Sequence, residues 1–320
     1  MTDQPIPPAE PGRDPHAAVA ADTYRRSRGV WRVIAFLALV GLILALFARF
    51  AAPESPVRDY IARLEVDGAI ATDPGRLAAI EELAEDDSVK AVIVAINSPG
   101  GTTAGGEELY EALGRLRETK PTVAVIKELG ASAAYMTAIA TDRIFARRLS
   151  IVGSIGVLYQ HVNAGKLMDT IGVGLDKVAS GPLKAEPDLD EPLTGAPRQS
   201  IAALVDDSFQ WFVDVVAERR NLARPVALGL ADGRIVTGRV GVEAGLIDAI
   251  GGEAEAQAWL ETAASVPADL EISTVWPEPE AGFDWWSLVF GGQERSWLGL
   301  PQGPMPLDGL VSLWQVGPAS

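Results

Sequence analysis

Ser132 stands where two kinds of sequence meet. Before it lies Thr122-Val123-Ala124-Val125-Ile126, a short run rich in β-branched residues; after it lies the Ala-rich stretch Ala133 to Ala140, with Gly130 breaking the pattern between them. The first run suits a strand and the second has high helix propensity, so Ser132 is expected at a helix N-terminus. Free backbone N–H groups and the positive end of the helix dipole favour an anion beside that hydroxyl, which suits a nucleophile. The same position suits a plain N-cap serine, and nothing within this segment separates the two readings.

Acyl transfer by a hydroxyl needs a base to deprotonate it and N–H donors for the oxyanion. Gly100-Gly101 follows the apolar run Val89 to Ile96, and without side chains its N–H groups could approach a bound carbonyl. The chain has no cysteine and only two histidines, His16 and His161. Thiol nucleophiles and Cys-based zinc sites are therefore excluded. For the base there are two candidates, His161 and Lys184 in Ser180-Gly181-Pro182-Leu183-Lys184. His161 would make a Ser-His pair and Lys184 a Ser-Lys dyad. A lysine serving as base must give up its proton about three pH units below its ordinary range, which costs roughly 4 kcal/mol of desolvation or like-charge repulsion. Neither pair calls for a metal or a cofactor.

The elements that must position these residues alternate between strand and helix. Ile61 to Val66 reads as a strand ending in an Asp67-Gly68 turn, and Leu77 to Ala84 has helical spacing. Val89 to Ile96 is the nearly continuous Val/Ile run of a parallel strand buried on both faces. A helix from about Glu107 to Glu118, the strand Thr122 to Lys127, the Ser132 helix, and short strands at Ile144 to Ala146 and Ile151 to Val157 follow. Ser200 to Arg220 has the apolar face of a long helix, Ile235 to Gly238 and then Ala244 to Asp248 form another short unit, and Glu253 to Ala264 is a helix. This order specifies an α/β layered fold with a mostly parallel sheet.

Both ends differ from this body. Residues 1–29 are rich in Pro, Ala and charge without apolar periodicity and are expected to form a disordered cytoplasmic tail. Arg25, Arg26, Arg28 and Arg32 precede the apolar run Val33 to Phe47, which widens to a span over residues 30–52 if Arg32 and Arg49 snorkel to the two interfaces, the plan of a single transmembrane anchor. A signal peptide shares that plan, with Ala51-Ala52-Pro53 as the cleavage zone, but the Pro and the long N-terminal extension disfavour cleavage. The arginines place the N-terminus in the cytoplasm and the rest on the extracytoplasmic face, which in a bacterium means an inner-membrane protein facing the periplasm. Residues 57–265 then form the catalytic domain, and residues 266–320 a Pro- and Trp-rich C-terminal tail read as irregular. Trp276, Trp285, Trp286, Trp297 and Trp314 pack that tail on the domain or a neighbouring subunit, or rest it on the bilayer. A net charge of −16 argues against a nucleic-acid partner.

Taken in order, Asn97-Ser98-Pro99-Gly100-Gly101, Gly130-Ala131-Ser132-Ala133-Ala134-Tyr135 leading to Ala140-Thr141-Asp142-Arg143-Ile144-Phe145-Ala146, Gly153-Ser154-Ile155-Gly156-Val157 and Ser180-Gly181-Pro182-Leu183-Lys184 resemble the signature of the SppA-type signal peptide peptidases, serine peptidases of family S49. The likeness runs from about residue 60 to about residue 260. It implies a crotonase/Clp-protease-like layered fold and a Ser-Lys dyad, with Ser132 as nucleophile, Lys184 as general base and Ser154 as the hydroxyl that positions the lysine amine. Gly101 matches an oxyanion donor, beside which the geometry of the turn adds the Ala133 N–H. The compact form of the family implies a homo-oligomeric ring whose neighbouring subunits complete the active sites, with peptide substrates such as signal-peptide remnants. Two departures bear on specificity: Ala133-Ala134 stands where the family usually has Gly-Gly, and Ala185 where many members have a hydroxyl residue.

Three rival readings use the same residues differently. A Clp-like Ser-His-Asp peptidase would use His161 and leave the Gly-Pro-Leu-Lys motif without a role. An acyl-CoA hydratase of the same architecture would leave the anchor and Ser132 unexplained. A non-catalytic membrane scaffold would carry a degenerate peptidase domain.

Overall fold

The computed structural model describes residues 31–43, 58–277 and, for the backbone alone, 310–313. The chain divides into two units, residues 1–57 and 58–320. In the first, residues 31–43 form helix α1, with Trp31, Phe36, Leu37 and Leu42 exposed. Among the described residues no helix is long and apolar enough to cross a membrane. The rest of the expected 30–52 span, like the 1–29 tail, falls outside the described residues.

The second unit is built on an eight-stranded sheet. Its path runs β10 (Glu271–Trp276), β1 (Tyr60–Asp67), β2 (Val89–Ser98), β4 (Thr122–Ala131), β5 (Arg143–Ala146) and β9 (Ala249–Ile250), each neighbouring pair parallel. The continuous Val/Ile runs are buried on both sides, as their composition predicts. Val92, Val94, Ile96, Ala124 and Ile126 face a core shared with α2 (Pro74–Glu85), α3 (Thr103–Thr119), α4 (Ala133–Ile139) and α6 (Gly195–Arg219). Ile61, Ala91, Ile93, Val123 and Val125 face the other way, onto Ala256 and Leu260 of α9 (Glu253–Ala263). Between α4 and α6 lie β7 (Leu158–Tyr159) and α5 (Gly165–Ile171); α7 (Arg224–Leu230), β8 (Ile235–Thr237) and α8 (Gly238–Glu243) follow α6.

Several boundaries differ from the sequence reading. Strand β4 continues through Gly130 to Ala131, because its far half pairs with β6 (Ile151–Gly153) after its near half has paired with β5. Only Ile151–Gly153 of the expected Ile151 to Val157 strand is extended in the sheet, where β6 also takes β8 as an antiparallel neighbour. Helix α3 starts at Thr103, earlier than expected, capped by the Thr102 hydroxyl on the Gly105 N–H at 3.0 Å. The stretch after residue 265 is not wholly irregular: β10 pairs parallel with β1, and Trp276 packs against the core. Trp285, Trp286, Trp297 and Trp314 lie outside the described residues. Farther on, β11 (Leu310–Leu313) runs antiparallel between β3 (Gly100–Thr102) and β7.

Candidate active site

The end of β4, the start of α4 and the edge strand β3 converge on one point. Ser132 has φ 58° and ψ −121°, a left-handed backbone conformation that costs a non-glycine residue free energy. It is 1 % exposed, and its hydroxyl makes no capping hydrogen bond to the helix it opens. The plain N-cap reading therefore fails on geometry, although Ser132 occupies the N-cap position. What fixes the turn is the backbone: the Ser132 N–H donates to Gly153 O at 2.8 Å, and the Met136 N–H donates to Ser132 O at 2.9 Å. A strained serine at a strand-to-helix corner presents its hydroxyl at the top of a parallel sheet.

Ser154 lies next to that corner, since Ala131 pairs with Gly153 across β4 and β6. It too has a positive φ, 52°, and its N–H donates to Arg234 O at 2.8 Å. The turn holding Arg234 is tied by its own ion pair with Asp232, and hydrogen bonds from Arg234 hold the Asp232 carboxyl down to about 2. Two adjacent non-glycine residues in left-handed conformations, each held by a backbone bond, mark a site whose shape is imposed by its surroundings.

On the other side α4 packs against β3. Gly100 has φ 103°, and its N–H donates to the fully buried Ser98 hydroxyl at 3.1 Å. Ile70 brackets the strand, donating to Gly100 O at 2.9 Å and accepting from the Thr102 N–H at 2.8 Å. A Cβ on Gly101 would sit 1.7 Å from Ile70 O, so only glycine fits there. Ala133 is accommodated by Gly106 of α3: a Cβ on Gly106 would meet the Ala133 Cβ at 2.9 Å. The Ala133 methyl thus fits because the facing helix carries none at Gly106.

Lys184 is not buried with these groups. It belongs to the segment 158–194, where Val178, Leu183 and Leu189 are also exposed, and its own N–H donates to Gly181 O at 3.1 Å. Lys177 fastens this segment through ion pairs to Glu186 at 2.6 Å and Asp188 at 2.7 Å. His161 lies in the same segment, with its Nε2 2.9 Å from Glu191 O. Ser98, Ile70 and Gly106 were not singled out by sequence. The one available signal was Ser98 two residues before a glycine in Asn97-Ser98-Pro99-Gly100, a side chain placed to fold back on the turn.

The profile of Peptidase family S49 matches residues 115–267, a span that contains Ser132, Ser154 and Lys184. A protein of Synechocystis named "Putative protease slr0021" is 37 % identical over 225 residues, covering 69 % of this chain and 81 % of the relative. "Putative signal peptide peptidase SppA" of Enterococcus faecium is 32 % identical over 206 residues, 60 % of each chain. "Serine protease SPPA, chloroplastic" of Arabidopsis thaliana is 29 % identical over 235 residues, 68 % of this chain and 34 % of that longer one.

Proposed function

This chain belongs to peptidase family S49, and we propose that it is a serine endopeptidase in which Ser132 is the nucleophile and Lys184 the general base. The single observation that carries the reading is the Ser132 corner: a buried, strained serine without a capping bond, set between a helix N-terminus and the Gly100–Gly101 edge. In this mechanism the Ser132 Oγ attacks the peptide carbonyl as its proton passes to the lysine Nζ. The tetrahedral oxyanion is received by the Gly101 and Ala133 N–H groups, the C–N bond breaks, and the lysine returns the proton to the leaving amine. Water then repeats the sequence on the acyl-enzyme. Ser154, adjacent to the corner, takes the role of holding the amine in line.

Peptide substrates suit the surface beside the nucleophile. Residues 310–313 lie there as an antiparallel strand between β3 and β7, so this edge accepts extended backbone. Labelling with a fluorophosphonate serine probe tests the assignment directly: the label should map to Ser132 by peptide mass spectrometry, and a label elsewhere, or none, would count against it. The oxyanion role of Gly101 has its own test. Gly101→Ala is expected to cost about 2–3 kcal/mol of stability through overpacking against Ile70. It should also lower kcat about 100-fold by moving the donor. Denaturant unfolding and peptide hydrolysis measure the two effects, and a variant with native kcat would remove Gly101 from the oxyanion site.

The anchor reading supports substrates drawn from the membrane, hydrophobic peptides such as signal-peptide remnants, cleaved on the extracytoplasmic face. The basic run before residues 30–52 is its basis. The full chain should remain in the membrane pellet after an alkaline wash and be released when residues 1–52 are removed. Release of the intact chain would overturn the anchor.

A further inference from the structure

The seven residues of α4 are all buried, and a buried helix must satisfy the carbonyls of its last turn from outside. No glycine in the left-handed conformation ends this helix; Ala140 follows it in the right-handed region. The partner comes instead from the last residue of α6. Arg219 Nε donates to Ile139 O at 2.7 Å, and Nη2 donates to Thr141 O at 2.9 Å and Ala140 O at 3.5 Å. One guanidinium thus covers three successive carbonyls at the negative end of the helix, where a cation is favoured. Burial, the neighbouring Arg117 and the surrounding Tyr110, Asp142 and Glu218 act on Arg219 with the net effect of pulling its proton affinity down, a cost that an ordinary surface arginine does not bear.

The next residue holds the other end of the same helix through a loop. Arg220 Nε donates to Gly245 O at 2.8 Å, and its Nη1 and Nη2 bond the two oxygens of Asp248 at 3.1 and 2.9 Å. Asp248 also accepts the Ile144 N–H at 2.8 Å. Between Gly245 and Asp248 lies Leu246, whose carbonyl accepts the Tyr135 hydroxyl at 2.7 Å. Tyr135 sits in the first turn of α4, three residues from Ser132, and is wholly buried, which pushes its phenol upward and keeps it a donor.

We propose that Arg219 and Arg220 form a clamp that positions the Ser132 helix, Arg219 by capping its C-terminus and Arg220 by fixing the 245–248 loop to which Tyr135 is tied. The inference rests on Ser132 being the nucleophile. Neither arginine touches the reacting atoms; Arg219 acts from the far end of a seven-residue helix, about 10 Å away at 1.5 Å per residue. What the clamp fixes is the axial and rotational setting of α4, hence where the Ser132 hydroxyl and the Ala133 N–H meet a bound carbonyl. Displacements of about 1 Å in such a pair cost on the order of 100-fold in rate.

The test compares Arg219→Gln, Arg219→Lys and Arg220→Lys in the full chain, with a fluorogenic hydrophobic peptide as substrate and hydrogen exchange as the second measurement. Arg219→Gln should lower kcat by about 10- to 100-fold while KM stays within about two-fold, because binding is untouched and positioning is not. Amides of residues 135–139 should exchange at least about ten-fold faster, with α2 amides unchanged. Arg219→Lys, which restores a cation and a donor, should recover most of both effects. A folded Arg219→Gln variant with native kcat, or faster exchange in α4 without any loss of kcat, would overturn the proposal. So would equal loss in the Lys and Gln variants with unaltered exchange. The exchange measurement does not depend on which residue is the nucleophile. Activity surviving in Ser132→Ala would therefore sink Ser132 as the nucleophile while leaving the structural clamp separately readable.

Discussion

Ser132→Ala should lower kcat for a fluorogenic peptide by about 10⁴-fold or more, the loss seen when a serine peptidase is deprived of its nucleophile. Alanine inherits the same φ of 58°, so the backbone strain of the corner stays in place in this variant. Ser132→Gly sharpens the prediction. Glycine has no Cβ to strain in a left-handed conformation, so this variant should be equally inactive yet more stable by about 1 kcal/mol, raising Tm by roughly 2–4 °C. A catalytic residue that destabilises its own fold should show this opposition between activity and stability. A capping serine predicts the reverse: Ser132→Ala would lose about 1 kcal/mol and keep its activity. Thermal unfolding and steady-state kinetics on the two variants separate the cases, and native activity in Ser132→Ala would sink the assignment.

How far the fold could be read in advance depends on what each residue's signal refers to. The runs in β2 and β4 were legible because burial on both faces demands continuous Val and Ile, and no surface helix has that composition. The first turn of α3 is hidden in the sequence because Gly105 and Gly106 lower helix propensity; a Cβ at either would meet Ala71 or Ala133, so packing sets them, not local preference. Gly130 has the local signal of a break, yet it is a paired strand residue opposite Ser98 and Val152. β10 has no local signal because the strand it pairs with among the described residues is β1, more than 200 residues earlier. At the site, the small residues Gly101 and Ser132 were visible because each stands where few other residue types serve. Arg219 was not: an arginine closing an amphipathic helix reads as an ordinary response to the helix dipole, and only the carbonyls of α4 reveal its second use.

Lys184 is where sequence and single-chain geometry part, and it supplies the second large prediction. A solvated ammonium holds its proton at neutral pH, so a lysine works as a base only when its surroundings are desolvated. In this chain Lys184 is exposed, and so are Val178, Leu183 and Leu189 around it. We propose that a second copy covers those apolar side chains and buries the amine at the same time. On this reading Lys184 of one copy serves Ser132 of its neighbour in a homo-oligomer. Lys184→Ala should then lower kcat by about 10³-fold or more, and Lys184→Arg should be no better, because a guanidinium cannot accept the serine proton. Complementation decides where the dyad forms. Mixed oligomers co-expressed from Ser132→Ala and Lys184→Ala chains, each inactive alone, should regain up to about a quarter of native activity, the fraction of random neighbour pairs that bring an intact serine to an intact lysine. A dyad within one chain predicts no recovery from the same mixture, because every chain then lacks one half of its own site. Native activity in Lys184→Ala would remove the lysine from the mechanism, and loss of activity in His161→Ala alongside it would transfer the base to the histidine.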